Sequence, residues 1–130
     1  MKSLLIALCV ATSMLTTATA MAQSVAHAAT EGIASKLIVR GNLGGLQVID
    51  LRSQMRNDVM AVQAEVYNFS TLDSRLYYRF RWTDSGGMQV GDGEVWKPVL
   101  FLGNQTQYLK ATAPSPRATE FMIEMSAEAR

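Results

Sequence analysis

Tyr77, Arg79 and Arg81 recur at every second position, so an extended chain places all three on one side. Tyr and Arg combine a large contact area with hydrogen-bonding capacity, which enriches them at binding hot spots, and guanidinium forks match carboxylates. Cross-strand pairing with Glu65 or another outward acid is the favoured structural reading of the arginines. A surface for a protein partner is the functional one. Trp96, two residues before Pro98, is the second candidate: an aromatic on a weakly paired edge either receives a partner strand by β-augmentation or covers the end of the domain.

Residues for hydrolysis or metal chemistry are sparse. His27 is the sole histidine, which leaves a Ser-His-Asp arrangement without its usual base and a multi-histidine metal site without ligands. Asp84, Asp92 and Glu94 are close in sequence but match no complete oxygen-ligand loop, and carboxylates beside a Gly-rich turn are commonly turn formers. Met55, Met60, Met88, Met122 and Met125 are soft ligands suited to monovalent copper. They form no Met-rich cluster and read as fillers of irregular packing. No catalytic residue, metal site or cofactor is expected, and the chain is not read as an enzyme.

The elements that position these residues are strands. Leu76, Tyr78, Phe80 and Trp82 alternate with Tyr77, Arg79, Arg81 and Thr83, the pattern of a half-buried strand, and Asp84-Ser85-Gly86-Gly87 reverses the chain. Val59 to Asn68 alternates as cleanly, with Met60, Val62, Ala64 and Val66 inward, and its connection through residues 69–74 reads as a hairpin loop to the Tyr77 strand. Upstream, Lys36 to Val39 is a short first strand. Leu46 to Ser53 is a second, with Ile49 and Leu51 on one side and Asp50 and Arg52 on the other, although Val48 blurs the alternation, and Arg56-Asn57-Asp58 is the following turn. Downstream, Met88 to Val90 begins a return strand, Pro98 either demotes Val95 to Leu102 to an edge strand or marks a break within it, and Thr106 to Thr112 extends. In the last strand, Thr119 to Met125, Phe121, Ile123 and Met125 point inward against a solvated face of Glu120, Met122 and Glu124. Asn68-Phe69-Ser70 matches a glycosylation acceptor, but a turn Asn at a strand end is the favoured account. No window carries an amphipathic helix of ten or more residues. The pattern predicts an all-β antiparallel sandwich of about seven strands.

The N-terminus reads as an export signal: Lys2, an apolar run from Leu4 to Val10, and small-residue cleavage options ending at Ala20 and Ala22. The run is shorter than the ~20 apolar residues of a membrane span. Cleavage after Ala22 leaves 108 of the 130 residues, one domain, and removes Lys2, so 12 basic and 11 acidic residues become 11 of each. A balanced charge with no basic run argues against nucleic acid as a partner. Cys9, the only cysteine, is preceded by bulky Leu8, so lipid attachment is not expected and the mature chain makes no disulfide. The expected organisation is a signal peptide at 1–22, a flexible lead-in at 23–35 and a β-sandwich domain at 36–130.

Leu76-x-Tyr78-Arg79-Phe80-x-Trp82-x-Asp84-x-x-Gly87-Met88, followed by Trp96, Ala113-Pro114-Ser115-Pro116-x-Ala118 and Phe121, resembles the YcfL-like family of small exported bacterial envelope proteins. The resemblance runs roughly from Leu46 to Met125. It implies an immunoglobulin-like β-sandwich in the periplasm of a Gram-negative bacterium, and little about activity. Many members look like lipoproteins, a feature from which Leu8-Cys9 departs. The combined expectation is a non-enzymatic periplasmic module that binds another envelope protein through Tyr77, Arg79, Arg81 or Trp96. The alternative is a carrier of a small ligand or copper.

Overall fold

A computed structural model describes residues 32–128. The segment expected to be a signal peptide, Cys9, His27 and the expected lead-in up to residue 31 lie outside the described residues. Seven strands follow: β1 (Leu37–Arg40), β2 (Leu46–Arg56), β3 (Val59–Asn68), β4 (Ser74–Thr83), β5 (Lys97–Phe101), β6 (Thr106–Thr112) and β7 (Glu120–Ser126). They form two sheets, ordered β1-β7-β4-β5 and β2-β3-β6. This is the all-β, seven-strand sandwich that the alternation predicts, an architecture shared with immunoglobulin-like domains. All pairs are antiparallel except β1 with β7. Residues 32–34 make one helical turn, closed by Lys36 N–H donating to Ile33 O. This turn falls within the 23–35 segment expected from sequence to be a flexible lead-in.

The β2–β3 hairpin turns on Asn57 and Asp58, both with positive φ (48° and 65°). Two consecutive left-handed residues match the right-handed twist of the flanking strands, and Asn and Asp tolerate that region. The hairpin carries β2 on to Arg56, beyond the expected end at Ser53. Its register slips between Val48 and Asp50, which pair with Val66 and Glu65. The extra residue is Ile49. This bulge turns both Val48 and Leu51 inward and leaves Ile49 43% exposed, correcting the expectation that Ile49 and Leu51 share a face.

β3 and β4 do not form a hairpin. β3 lies between β2 and β6, and β4 between β7 and β5, so the 69–73 connection crosses from one sheet to the other. Each strand has one apolar face, and burying both is achieved by opposing them across the core: Val62, Ala64 and Val66 against Leu76, Phe80 and Trp82. Fully buried Asn68 holds the crossing. Its Nδ2 donates to Leu72 O (2.8 Å) and Leu102 O (3.1 Å), and its Oδ1 accepts from Ser70 N–H (3.0 Å). The amide is spent on the backbone, as the turn reading requires.

The core is closed by Phe101, Leu109, Ile123 and Met125, with Phe80 stacked on Trp82 at 5.7 Å between centroids. Full burial of such side chains contributes about 1.5–3 kcal/mol each. Pro98 lies in β5, at the edge of its sheet, where a missing N–H is tolerated. The expected strand at Val95 to Leu102 contracts to Lys97–Phe101, and the return strand at Met88 to Val90 reduces to a single bridge between Thr83 and Gln89.

Candidate functional site: an arginine and tryptophan face

Arg79 pairs in register with Glu124 of β7, and Arg81 with Met122, so the outward side of β4 lies alongside that of β7. On the far side of β7, Ile38 pairs with Glu124 and Arg40 with Ser126. Glu124 is thus flanked on both sides by strands that carry arginines. Arg79 Nε and Nη2 donate to Glu124 Oε2 at 3.3 and 3.2 Å, and Arg40 Nη2 donates to the same oxygen at 3.4 Å. Arg81 Nε sits 3.3 Å from Oε1. This is a charge contact outside hydrogen-bond geometry, and it leaves Oε1 buried without a hydrogen bond.

The sequence expectation of a solvated Glu124 is therefore corrected: the side chain is 1% exposed, while those of Arg40, Arg79 and Arg81 are 45%, 32% and 51% exposed. The cations close over the carboxylate because β7 is an interior strand. Glu120, nearer the strand's start, does stay exposed and pairs with Lys36. Glu65 is not the partner of the arginines; it lies in the other sheet, between Asp50 and Tyr108.

Trp96 stacks on Arg79, with Cζ 4.6 Å from the ring centroid. The two surface candidates are thereby one site. The guanidinium plane is held by the indole on one side and by Glu124 at its edge, an arrangement that limits the rotamer freedom lost on binding. Tyr77 is half-buried on the same face, between Ser126 and Pro98. Sequence reasoning missed Arg40 and Glu124. Nothing local marks them, because they meet only through the parallel β1–β7 pair, more than 80 residues apart in the chain.

Of the three carboxylates considered for catalysis, Asp92 is exposed, while Asp84 and Glu94 serve the backbone. Asp84 Oδ1 accepts from Gly86 and Met88 N–H at 2.9 and 3.0 Å, and Arg117 Nη2 stands 3.7 Å from Oδ2. Glu94 Oε2 accepts from Phe80 N–H at 2.8 Å, beyond the last paired position of β5, and Trp82 Nε1 donates to Oε1 at 3.4 Å. A side chain thus continues the β4 edge where β5 has ended. The five methionines do not converge: Met125 is in the core, Met122 on the outer face beside Arg81, Met55 opposite Met60 in the other sheet, and Met88 in an exposed turn. Among the described residues, no group of three or more His, Cys, Asp or Glu is placed to hold a metal ion.

Burial, and secondarily the Glu94 carboxylate, push the Tyr78 hydroxyl above its ordinary value of 10.0. The folded state holds this proton to higher pH than the unfolded chain does. The resulting stabilisation is full below about pH 10 and is lost as pH rises through the raised folded value. Between about pH 9 and 11.5, the urea midpoint of the protein is expected to fall more steeply than that of Tyr78→Phe. Parallel curves would show that Tyr78 titrates alike in both states.

A groove of about 990 Å³ opens elsewhere, where the β2–β3 hairpin meets Glu94 and Lys97. Leu51, Ser53, Val62 and Ala111 line it, together with Arg52, Arg56 and Lys110. By register, Arg52 and Lys110 belong to the opposite face of the sheet from Leu51 and Ala111, so the groove wraps the strand end.

The fold and this face define a two-sheet β-sandwich module with a strand-built cationic surface. The family described as "Protein of unknown function (DUF1425)" matches residues 38–127, and the chain belongs to that family. Among solved structures, it is similar to a DUF1425 family member from Shewanella sp. pv-4, at 26% identity and a TM-score of 0.59, over 65% of this chain and 79% of that one. It also shares its fold with Campylobacter jejuni cj0090, at 24% identity and a TM-score of 0.59, over 72% of this chain and 98% of that one. A comparison with curated proteins finds no match. Among the described residues, no helix is long and apolar enough to cross a membrane.

Proposed function

We propose that this chain is a non-enzymatic module of the bacterial periplasm, exported behind a signal peptide at residues 1–22, that binds another cell-envelope protein. The binding surface is the outer face of the β1-β7-β4-β5 sheet, at Tyr77, Arg79, Arg81 and Trp96. One observation carries this reading: three guanidinium groups converge on a single buried carboxylate, which leaves two positive charges in excess on a half-exposed strand surface, with an indole stacked on the central arginine. Arg and Trp are the residue types that dominate interface hot spots. The YcfL-like resemblance supports the envelope setting, and Leu8-Cys9 favours a released chain over a lipid-anchored one. The commitment of Asp84 and Glu94 to backbone N–H groups supports a binding role over a catalytic one.

Crosslinking in the periplasm of the native organism, followed by mass spectrometry, tests the reading. A reproducible envelope protein captured near Arg79 or Trp96 is expected, with capture lost in Arg79→Ala/Arg81→Ala and in Trp96→Ala variants that remain folded. Folded variants that retain every partner would remove the surface assignment.

The groove beside Glu94 and Lys97 supports a second reading, a carrier of a small ligand, because its volume is that of a ligand site. A small molecule that copurifies and raises the melting temperature by mass action would move the assignment there.

A further inference from the structure

The geometry points to a carboxylate-bearing polypeptide segment as what this arginine face takes: an acidic stretch of the partner laid across β7 and β4. This deepens the proposed function and rests on it. Each guanidinium offers five N–H groups, yet only one from Arg40 and two from Arg79 donate to Glu124, and Arg81 donates none to it. Three cations share one anion, and Arg75, exposed on the same side of β4, adds a fourth cation to the face. Each of the three clustered side chains is a third to a half exposed, so the spare donors reach solvent. A second carboxylate entering between Arg40 and Arg81 offsets the excess and gains the bidentate geometry that guanidinium forks favour.

The surroundings select a polypeptide over a free anion. In register around the arginines, Ile38 and Met122 lie toward β1 and β7, and Pro98 and 48% exposed Leu100 toward β5, with Tyr77 and Trp96 between. A small oxyanion leaves this apolar rim in water. An extended acidic segment covers it with its own side chains while its carboxylates meet the arginines. Charge complementarity sets association rate and register, and the apolar rim supplies the buried area.

The test uses the purified protein and two capped peptides, tetraglutamate and tetraglutamine, followed by backbone NMR and repeated at rising salt. Tetraglutamate is expected to shift the amides of Arg40, Arg81 and Trp96, with affinity falling as salt rises. The double variant Arg40→Gln/Arg81→Gln is expected to lose about tenfold or more in affinity, whereas Arg81→Lys, which keeps charge but not the fork, loses part of it. Both substitutions are half exposed and spare the Arg79 pair that holds Glu124, so the variants are expected to fold. Equal binding of tetraglutamine, shifts confined to other faces, or an unaffected double variant would overturn the inference. Inorganic phosphate binding the face as tightly as the peptide would overturn the polypeptide class. An envelope protein crosslinked at this face with no tetraglutamate binding would refute the carboxylate preference while leaving the module reading in place. Tetraglutamate binding with no protein captured in the envelope would uphold the preference and refute the partner assignment.

Discussion

Glu124→Ala is expected to destabilise the protein by about 3 kcal/mol, the low end of the 3–5 kcal/mol seen when one member of a buried charge pair is removed. The wild-type carboxylate is buried beneath Arg40, Arg79 and Arg81. Its removal takes away the hydrogen bonds from Arg40 and Arg79 and sets three like charges against one another. The arginines keep a third to a half of their side chains in water, so their mutual repulsion is screened, which places the loss at the low end of the range. Glu124→Gln retains the volume and one acceptor oxygen and is expected to lie between the wild type and the alanine variant. Urea unfolding gives the magnitude, and a cycle with Arg79→Gln gives the coupling. A loss below about 1 kcal/mol would mean that the cluster behaves as an ordinary surface pair.

Gly103→Ala is expected to cost about 4 kcal/mol or more, in the exceptional range for a single substitution. A Cβ at this position would lie 2.1 Å from Thr71 O and 2.5 Å from Thr71 C, both backbone atoms. The obstacle cannot swing away. Asn68 ties down Leu72 O and Leu102 O, Asn104 N–H donates to Ser70 O at 2.9 Å, and Gly103 N–H donates to Asp73 Oδ1 at 3.1 Å. The two sheet-crossing loops must separate to admit a methyl group, and their separation leaves buried amide groups of Asn68 without partners. Gly86→Ala is the matched control, since its nearest neighbour would be Asp84 Oδ1 at an ordinary 3.4 Å. It is expected to stay within about 0.5 kcal/mol of wild type. Equal melting temperatures for the Gly103→Ala and Gly86→Ala variants would show that the loops yield freely.

Most of the inward faces were legible in the sequence. Period-two alternation placed Val62, Ala64, Val66, Leu76, Phe80, Trp82, Ile123 and Met125 inside, and each is buried. Where it misled, at Ile49, one extra residue in the β2–β3 register exchanged the two sides of the strand. The blurred alternation at Val48 is the only local mark of the bulge, whose advantage lies in bringing both Val48 and Leu51 to the core. The candidate site was legible as far as β4 reached: Tyr77, Arg79 and Arg81 do share an outward face. Trp96 was also identified, but as a separate edge, since the residue that it stacks on, Arg79, lies 17 positions earlier, across a turn and connection that no spacing rule describes.

The sequence by itself determined the all-β class, the half-buried character of β3 and β4, the turn at Asn57-Asp58 and the restriction of Pro98 to an edge strand or a break. Each of these follows from local chemistry: side-chain alternation, tolerance of positive φ, or a missing N–H. Tertiary structure alone decided which strand lies beside which. Alternation encodes the side that a residue faces and not its neighbour, so β3 and β4 were free to face one another across the core instead of pairing within one sheet. The same freedom brought β1 alongside β7 and enclosed Glu124 under arginines from two strands. Burial of a charge is a property of what surrounds it, and Glu124 acquired its surroundings only when β7 became an interior strand between β1 and β4.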